Sequence, residues 1–316
     1  MTARVRVPAS SSNLGAGFDC VGVAIDRWLA ASVTLERSGG FSIRRRGKLS
    51  AVKVRPDQDL FTRGFRAACA AGGAVTPAGV TIDATSDIPV GCGLGSSAAA
   101  IVAGAMLADA ALGLGLSRAQ VLEVGTTIEG HPDNIAPAIY GGAVLSVHTA
   151  AGLATSPLLV APGIELLIAV PPFPNDTKAA RAALPHTLPH TDAVVAAGRA
   201  AALVQGLATG AAALLAAALD DVLHVPFRRG RIPGYDAVVA AAKQAGAYGA
   251  TLSGAGSAIV AIAPRERSGP VGAAMIAAWR EIGIAAELIT CPSPVAGAMV
   301  TASPRTTHHV PLTSQL

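Results

Sequence analysis

The sequence predicts an α+β fold built from two lobes packed together. Strand-like and helix-like stretches mix along the chain without the strict βαβ alternation of a doubly wound sheet. No fixed-period repeat and no linker breaks the 316 residues, a length that suffices for two intimate lobes with a real core. The apolar residues are mainly Ala, Val, Leu and Ile, with only 6 Phe, 3 Tyr and 2 Trp, so packing rests on aliphatic side chains. The boundary between the lobes is placed at 155/156, which gives an N-terminal lobe of residues 1–155 and a C-terminal lobe of residues 156–316.

In chain order, residues 4–8 alternate like a strand and run into Ala9-Ser-Ser-Ser-Asn-Leu-Gly-Ala-Gly-Phe-Asp19, read as a polar, Gly-rich loop. Residues 21–25 and 31–35 resume β character, 58–71 reads as a helix and 80–84 as a short strand. Residues 86–95 form a loop punctuated by Pro89, Gly91, Gly93 and Gly95. The helix predicted over 96–112 is apolar on nearly all faces and is therefore expected to be buried. A second helix over 117–129 has Ser117 as its N-cap, with Gln120 three residues on. Strands are predicted over 141–148 and 165–170, the latter stopped by Pro171-Pro172. Helices over 192–219 and 236–244, a strand over 258–263 after a second Gly-rich turn, a helix over 267–282 and a last strand over 285–290 complete the chain. Residues beyond 303 are expected to be mobile.

Charge and hydropathy exclude several classes. The net charge of +4 is diffuse, apart from Arg44, Arg45, Arg46 and Lys48, and no aromatics are interleaved there for base stacking. That cluster reads as a solvated strand end or turn, and no nucleic-acid partner is expected. Two Ala-rich stretches, 97–116 and 196–219, are long enough to span a bilayer. Ala contributes little transfer energy, Asp109 interrupts the first, and neither has aromatic belts, so no membrane association is expected. The first residues lack the apolar run of a signal peptide. Cys20, Cys69, Cys92 and Cys291 form no CxxC pair and read as free thiols of a cytoplasmic protein. His186 and His190 are separated by Pro189 and read as loop residues rather than metal ligands.

The strongest local signal is Pro89-Val90-Gly91-Cys92-Gly93-Leu94-Gly95-Ser96-Ser97-Ala98-Ala99. Glycines at alternate positions let the backbone turn tightly and expose its N–H groups. A helix then starts, so free N–H groups and the positive end of the helix dipole face one point. Phosphate is the natural ligand of such a cradle. A Walker A loop is excluded because GxxxxGK[ST] is absent. A relaxed dinucleotide fingerprint fits only by forcing Gly93, Gly95 and Ala98 into register, with the preceding strand ending several residues too early. A Gly-rich helix cap without ligand remains the other reading of the residues alone.

The same eleven residues resemble the nucleotide loop of the GHMP kinases, a family that includes galactokinase, homoserine kinase, mevalonate kinase and phosphomevalonate kinase. The stretch from Val7 to Asp19 resembles that family's N-terminal substrate motif. Leu252-Ser-Gly-Ala-Gly-Ser-Ala258 resembles its C-terminal glycine motif. The three motifs stand in the family's order and cover most of the chain. The segment from Ser11 to Asp19, Glu129-Gly-His-Pro-Asp-Asn134 with its continuation to Gly142, the segment from Asp176 to Pro185 and the segment from Pro226 to Gly234 are similar to the homoserine kinase branch.

The resemblance implies a two-lobe GHMP fold with an unusual βαβ unit in the N-terminal lobe, an α/β sandwich in the C-terminal lobe, ATP and Mg²⁺ as cofactors, and L-homoserine as substrate. It implies that Arg181 and Arg228 clamp the substrate carboxylate and that Asp19 holds the ammonium. Asn13, His131, Asn134, Thr177 and Gly254 would line the rest, and Ser97 and Glu129 would hold the metal. Asn134 would also act in catalysis as the contact nearest the reacting hydroxyl. Left open are Glu123 instead of Glu129, Asp133 as a general base or no base at all, and Arg229 or Arg231 in place of Arg228. Homodimers occur in the family. Ser257 departs from the family's usual Pro after the glycine motif, and Cys92 fills a variable loop position. Alternatives of other specificity are a mevalonate, methylerythritol or shikimate kinase, or a non-catalytic metabolite sensor of the same fold.

Overall fold

The computed structural model describes residues 2–302. The strands in chain order are β1 (Thr2–Asn13), β2 (Gly17–Glu36), β3 (Gly40–Gly47), β4 (Gly79–Ser86), β5 (Ala143–Thr149), β6 (Gly152–Leu158), β7 (Ile164–Val170), β8 (Gly249–Leu252), β9 (Ile259–Pro264), β10 (Glu287–Cys291) and β11 (Met299–Ala302). The α-helices are α1 (Leu60–Ala71), α2 (Ser96–Leu112), α3 (Arg118–Glu129), α4 (Ile135–Tyr140), α5 (Thr177–Ala182), α6 (His190–Thr209), α7 (Ala212–Leu219), α8 (Val225–Arg228), α9 (Tyr235–Gln244) and α10 (Ser268–Glu281).

A seven-stranded sheet runs β11-β1-β2-β4-β3, with β5 added beside β2 and β6 beside β5. The long β2 serves two neighbours on one edge. Its first part, at Val21–Val23, pairs with β5, and its second part, at Leu29–Glu36, pairs with β4. The β3–α1–β4 unit closes a parallel pair, the unusual βαβ element in an otherwise antiparallel sheet. A second, four-stranded antiparallel sheet runs β10-β7-β9-β8. The passage from the first sheet to the second lies at residues 159–163. The 155/156 division drawn from the sequence falls within β6, which its hairpin with β5 keeps in the first sheet.

Alternation explains how β7 joins two cores. Leu166, Ile168 and Val170 enter the large cluster with Leu203, Leu207 and Leu215, while Leu167 and Ala169 face Val238, Met275 and Trp279. Helix α2 is buried along most of its length, as its all-round apolar sequence predicts. It crosses α1 closely enough that a Cβ on Gly64 would stand 2.2 Å from the Ile101 carbonyl, and one on Gly104 2.1 Å from that of Phe61. Ser117 caps α3 in a complete capping box with Gln120. No helix among the described residues is long and apolar enough to cross a membrane.

Several expectations change. The predicted loop 9–19 is largely strand: β1 continues to Asn13, with irregularities after Pro8 and Ser12, because Ser10, Ser11 and Ser12 find buried partners instead of turning the chain. The two stretches 21–25 and 31–35 are one strand, since Trp28, Leu29 and Ala30 pair with β1 and only Asp26 and Arg27 bulge out of the register. Arg44, Arg45 and Arg46 lie within β3, with Lys48 in the following turn. The helix predicted over 192–219 breaks at Gly210, which takes φ +72° and ends α6. Strands β3, β6, β8 and β11 and helices α4, α5 and α8 are additions to the sequence reading. The four cysteines are free thiols. His186 lies in a loop and His190 opens α6. The tail beyond 303, expected to be mobile, lies outside the described residues.

Candidate active site

Period-2 geometry explains three consecutive buried serines on one strand. Ser10 and Ser12 face one way and hold the amide of Asn134. Ser10 Oγ donates to Asn134 Oδ1 at 2.8 Å, and Asn134 Nδ2 donates to Ser12 Oγ at 2.9 Å. Ser11 faces the other way and meets Ser253 Oγ at 2.8 Å, while Ser253 Oγ donates to the Gly93 carbonyl at 2.7 Å. The backbone completes the lock. The Gly254 N–H donates to the Ser12 carbonyl at 3.0 Å, the Ser10 N–H to that of Leu94 at 3.2 Å, and the Ala258 N–H to that of Cys92 at 3.0 Å. Asn13 Nδ2 donates to the Gly254 carbonyl at 2.9 Å, and its Oδ1 accepts from the Asp19 N–H at 2.9 Å. The three motifs recognised in the sequence are thus one hydrogen-bonded body.

Two glycines are required for that fit. Gly93 has φ +79°, and a Cβ there would stand 2.0 Å from the Ser253 carbonyl oxygen. Gly95 has φ +66°, and a Cβ would stand 2.1 Å from Ser10 Oγ. Gly95 is also the N-cap of α2, and no side chain caps the helix. The first turn of a 17-residue helix therefore presents its N–H groups and its dipole to the cavity. Ser257, the departure from the family pattern, is buried and its hydroxyl donates to the Phe173 carbonyl.

Beside this cradle, Ser97 donates its hydroxyl to the carboxylate of Glu129, the last residue of α3. Burial pushes the Glu129 carboxyl above its ordinary range, opposed by the Ser97 hydrogen bond and the charge of His131. Two hard oxygen donors meeting at a phosphate cradle suit Mg²⁺. His131 Nδ1 lies 2.5 Å from Asp133 Oδ1. Burial alone would lower the His131 pKa, but the hydrogen bond and charge of Asp133, with Glu129 and Asp19, raise it above the usual imidazole value.

At the far end, Arg181 of α5 forms a two-pronged pair with Asp19, with Nη1–Oδ2 2.8 Å and Nη2–Oδ1 2.7 Å. This pair joins β2 to the C-terminal lobe. Arg228, 2 % exposed, has no such partner. Its Nε donates to the Ala180 carbonyl at 3.2 Å and its Nη1 to His224 Nδ1 at 3.3 Å; among the described residues no carboxylate pairs with it. Burial, and then the charge of Arg181, lowers its pKa from the ordinary guanidinium value. Phe18 lies under both cations, its centroid 5.1 Å from Arg228 Cζ and 5.6 Å from that of Arg181.

One cavity of about 290 Å³ gathers these groups. Asn13, Asp19, Ser97, Glu129, His131, Asn134, Thr177, Arg181, Arg228 and Gly254 all line it, with Val90, Gly91, Gly93, Leu94, Gly95 and Ser96 of the loop. Pro89, Cys92, Ala98 and Ala99 do not: Cys92, Ala98 and Ala99 are buried and support the loop from behind. Glu123 is exposed on α3, outside the cavity. Arg229 pairs with Asp236 at 3.1 Å, and Arg231 Nε reaches Asn175 at 3.4 Å, so of the three arginines Arg228 alone faces the cavity. Asp133 lines the cavity while bonded to His131.

Sequence reasoning missed the outer wall, formed by Leu49, Val52, Val54, Gln58, Leu60 and Phe61 together with the ion pair of half-buried Arg45 and buried Asp59. Asp59 caps α1, accepting from the Phe61 N–H at 2.9 Å, and an Asp before a helix was a readable signal. The residues before it follow no period and gave none.

Comparison with known proteins agrees with this geometry. The chain matches the family of GHMP kinases N terminal domains over residues 59–142 and that of GHMP kinases C terminal over 201–281. It is 44% identical over 279 residues to a homoserine kinase of Gloeobacter violaceus, an alignment covering 87% of this chain and 92% of that one. A crystal structure of homoserine kinase from Cytophaga hutchinsonii superposes with a TM-score of 0.85 at 29% identity, covering 95% of this chain and 97% of the other. Mevalonate kinase from L. major, crystallised with R-mevalonate, superposes at 0.68 with 16% identity, covering 92% and 96%, a likeness of fold alone. With a phosphate cradle at one end of its cavity and paired opposite charges at the other, on a fold and sequence shared with these enzymes, the chain is a kinase that belongs to the homoserine kinase family of the GHMP kinases.

Proposed function

We propose that this kinase transfers the γ-phosphoryl group of ATP to the side-chain hydroxyl of L-homoserine, giving O-phospho-L-homoserine and ADP, a step on the route to threonine. The observation that carries the reading is the charge pattern opposite the loop: a carboxylate, Asp19, beside two guanidinium groups, Arg181 and Arg228. A zwitterionic amino acid satisfies that pattern. Mevalonate carries no ammonium and would bring no cation to Asp19.

Asp19 would receive the ammonium, and Arg181 and Arg228 the carboxylate, by charge-assisted hydrogen bonds. Thr177, Asn13 and the Gly254 backbone would complete that end. Asn134, fixed by Ser10 and Ser12, and His131, fixed by Asp133, would orient the hydroxyl toward the phosphate cradle. Phosphoryl transfer needs positioning and charge neutralisation more than covalent chemistry. The exposed N–H groups at the start of α2 would hold phosphate oxygens and balance their charge. Ser97 and Glu129 would hold Mg²⁺, which when bound neutralises phosphate charge. The apolar wall of Leu49, Val52, Val54 and Phe61 would receive the base of the nucleotide and keep water out.

The proposal extends to a cytoplasmic homodimer that engages neither nucleic acid nor membrane. The mild, scattered charge and the family resemblance support it.

The test is Mg²⁺-dependent ADP release by the purified protein with L-homoserine, mevalonate, shikimate or no acceptor. Turnover with homoserine alone is expected. Turnover with another acceptor and none with homoserine would keep the kinase and sink the substrate.

A further inference from the structure

Behind the cavity, and outside its lining, His224 is fully buried between the N-terminal motif and the C-terminal lobe. Its backbone N–H and that of Val225 donate to Asp221 Oδ2 at 2.7 and 2.8 Å, which fixes the main chain at the start of α8. Its ring is clamped from both sides. Nε2 lies 3.1 Å from the Gly15 carbonyl and Nδ1 lies 3.3 Å from Arg228 Nη1. A carbonyl only accepts and a guanidinium only donates. His224 is therefore the neutral Nε2–H tautomer, with its Nδ1 lone pair aimed at Arg228. A second proton would turn N–H against N–H and set a cation beside a cation; the Asp221 carboxylate, whose Oδ2 lies 3.7 Å from Nε2, favours that proton but already accepts two backbone N–H bonds. Burial lowers the His224 pKa, in the same direction. Phe18 stacks on the imidazole at 4.9 Å and 20° and also lies under Arg228, so the ring cannot tilt freely.

Two of the five Arg228 N–H groups are thus used, toward Ala180 and His224. These two bonds fix the plane of the guanidinium of a residue that lines the cavity and leave three of its N–H groups without a partner among the described residues. We infer that His224 is a positioning residue for the substrate carboxylate: its Nδ1 lone pair orients Arg228, while its Nε2–H ties that orientation to the Gly15 turn of the N-terminal motif. The inference rests on the reading of Arg228 as a contact to an acceptor carboxylate.

Two amide substitutions separate the two bonds. His224→Asn keeps an acceptor at the place of Nδ1 and loses the donor to Gly15. His224→Gln keeps a donor at the place of Nε2 and loses the acceptor for Arg228. The expected result is a KM for L-homoserine about tenfold higher in His224→Gln, the scale of one hydrogen bond to a charged group. Its kcat should stay within about threefold and its KM for ATP should not move. His224→Asn should lie within about threefold of the parent, and in an Arg228→Met background His224→Gln should have no further effect. A His224→Asn variant impaired more than His224→Gln, or a His224→Gln loss that persists without Arg228, would overturn the inference and leave His224 as a strut for the Gly15 turn. ¹⁵N NMR of the imidazole in the parent protein is independent of turnover and of variant folding. An Nε2–H tautomer whose Nδ1 signal moves on Arg228→Met upholds the inference, and an Nδ1–H tautomer or an imidazolium ends it. Absence of turnover with homoserine in the parent would sink the substrate assignment instead, and the NMR result alone would then decide the role of His224.

Discussion

At the phosphate-loop end of the cavity, short side chains and backbone groups bond to one another: Ser10 and Ser12 to Asn134, Ser11 to Ser253, Ser253 to Gly93. At the other end, long charged side chains from distant segments meet: Asp19 with Arg181, and Arg228 with only a carbonyl and an imidazole. The first end spends its polar groups on itself and is fixed before any ligand arrives. The second keeps polar capacity in reserve. Asp19 and Arg181 neutralise each other and would exchange partners with a zwitterion, whereas Arg228 is a buried cation that no carboxylate pairs with among the described residues. A site for a nucleotide and a small amino acid would need both kinds: a rigid cradle for phosphate, and charges whose pairing the substrate completes.

If the fixed end is one interlocked body, a single methyl group inside it should cause the largest loss. Gly93→Ala adds a Cβ 2.0 Å from the Ser253 carbonyl, at a φ of +79° that an L side chain rarely adopts. The expected cost is on the order of 3 kcal/mol, a fall in Tm of about 5 °C or more, with turnover lost. Thermal unfolding with the ADP-release assay measures both. A variant with the parent's Tm and activity would show that the loop yields, and the contrast between the two ends would not stand.

Arg228→Met probes the reserve end and should separate function from stability. A desolvated charge pair lost from a binding site costs about 4 kcal/mol, so kcat/KM for L-homoserine should fall about 10³-fold. The Tm should stay within about 2 °C, because Met of similar volume removes a buried charge that no carboxylate pairs with among the described residues, which offsets the hydrogen bonds lost at Ala180 and His224. Collapse of Tm with kcat/KM nearly intact would make Arg228 a structural residue and erase the contrast from the other side.

The same division explains what could be read from the sequence. Part of the fixed end is local: Gly-rich turns and a helix start carry their geometry within a few residues, so the loop, α2 and the capping box of α3 were legible. Its departure from expectation was instructive. Ser10 to Asn13 look like loop because serine usually bonds locally, yet here the partners are Asn134 and Ser253, more than a hundred residues away, and the segment stays strand. The reserve end is non-local, and spacing carries no trace of it; Asp19, Thr177, Arg181 and Arg228 were reached through family resemblance. Of the three arginines near 228, only the structure shows which one faces the cavity. The wall at 45–61 escaped both routes, since its apolar residues follow no period and its ion pair joins β3 to the start of α1.

The smallest expected effect reports on the charge held in reserve. Cys20, partly exposed and next to Asp19, has its thiol pushed up to about 11 by burial, then by the carboxylates of Asp133 and Asp19. All three causes disfavour the thiolate, so at pH 8 only about one Cys20 in a thousand is reactive, against about one in ten for a thiol at the ordinary value of 9.0. Iodoacetamide labelling of Cys20, followed by mass spectrometry, should therefore accelerate about tenfold per pH unit from pH 7 to 10 without levelling. The buried Cys69, Cys92 and Cys291 serve as internal controls for global opening. Asp19→Asn removes one of the repelling charges and should speed labelling at pH 8 by a factor of a few. A rate that levels near pH 9 would mean that burial does not hold the thiol up, and a rate indifferent to Asp19→Asn would mean that the Asp19 charge is already cancelled by Arg181. The ion pair would then be a permanent strut rather than a charge waiting for a substrate.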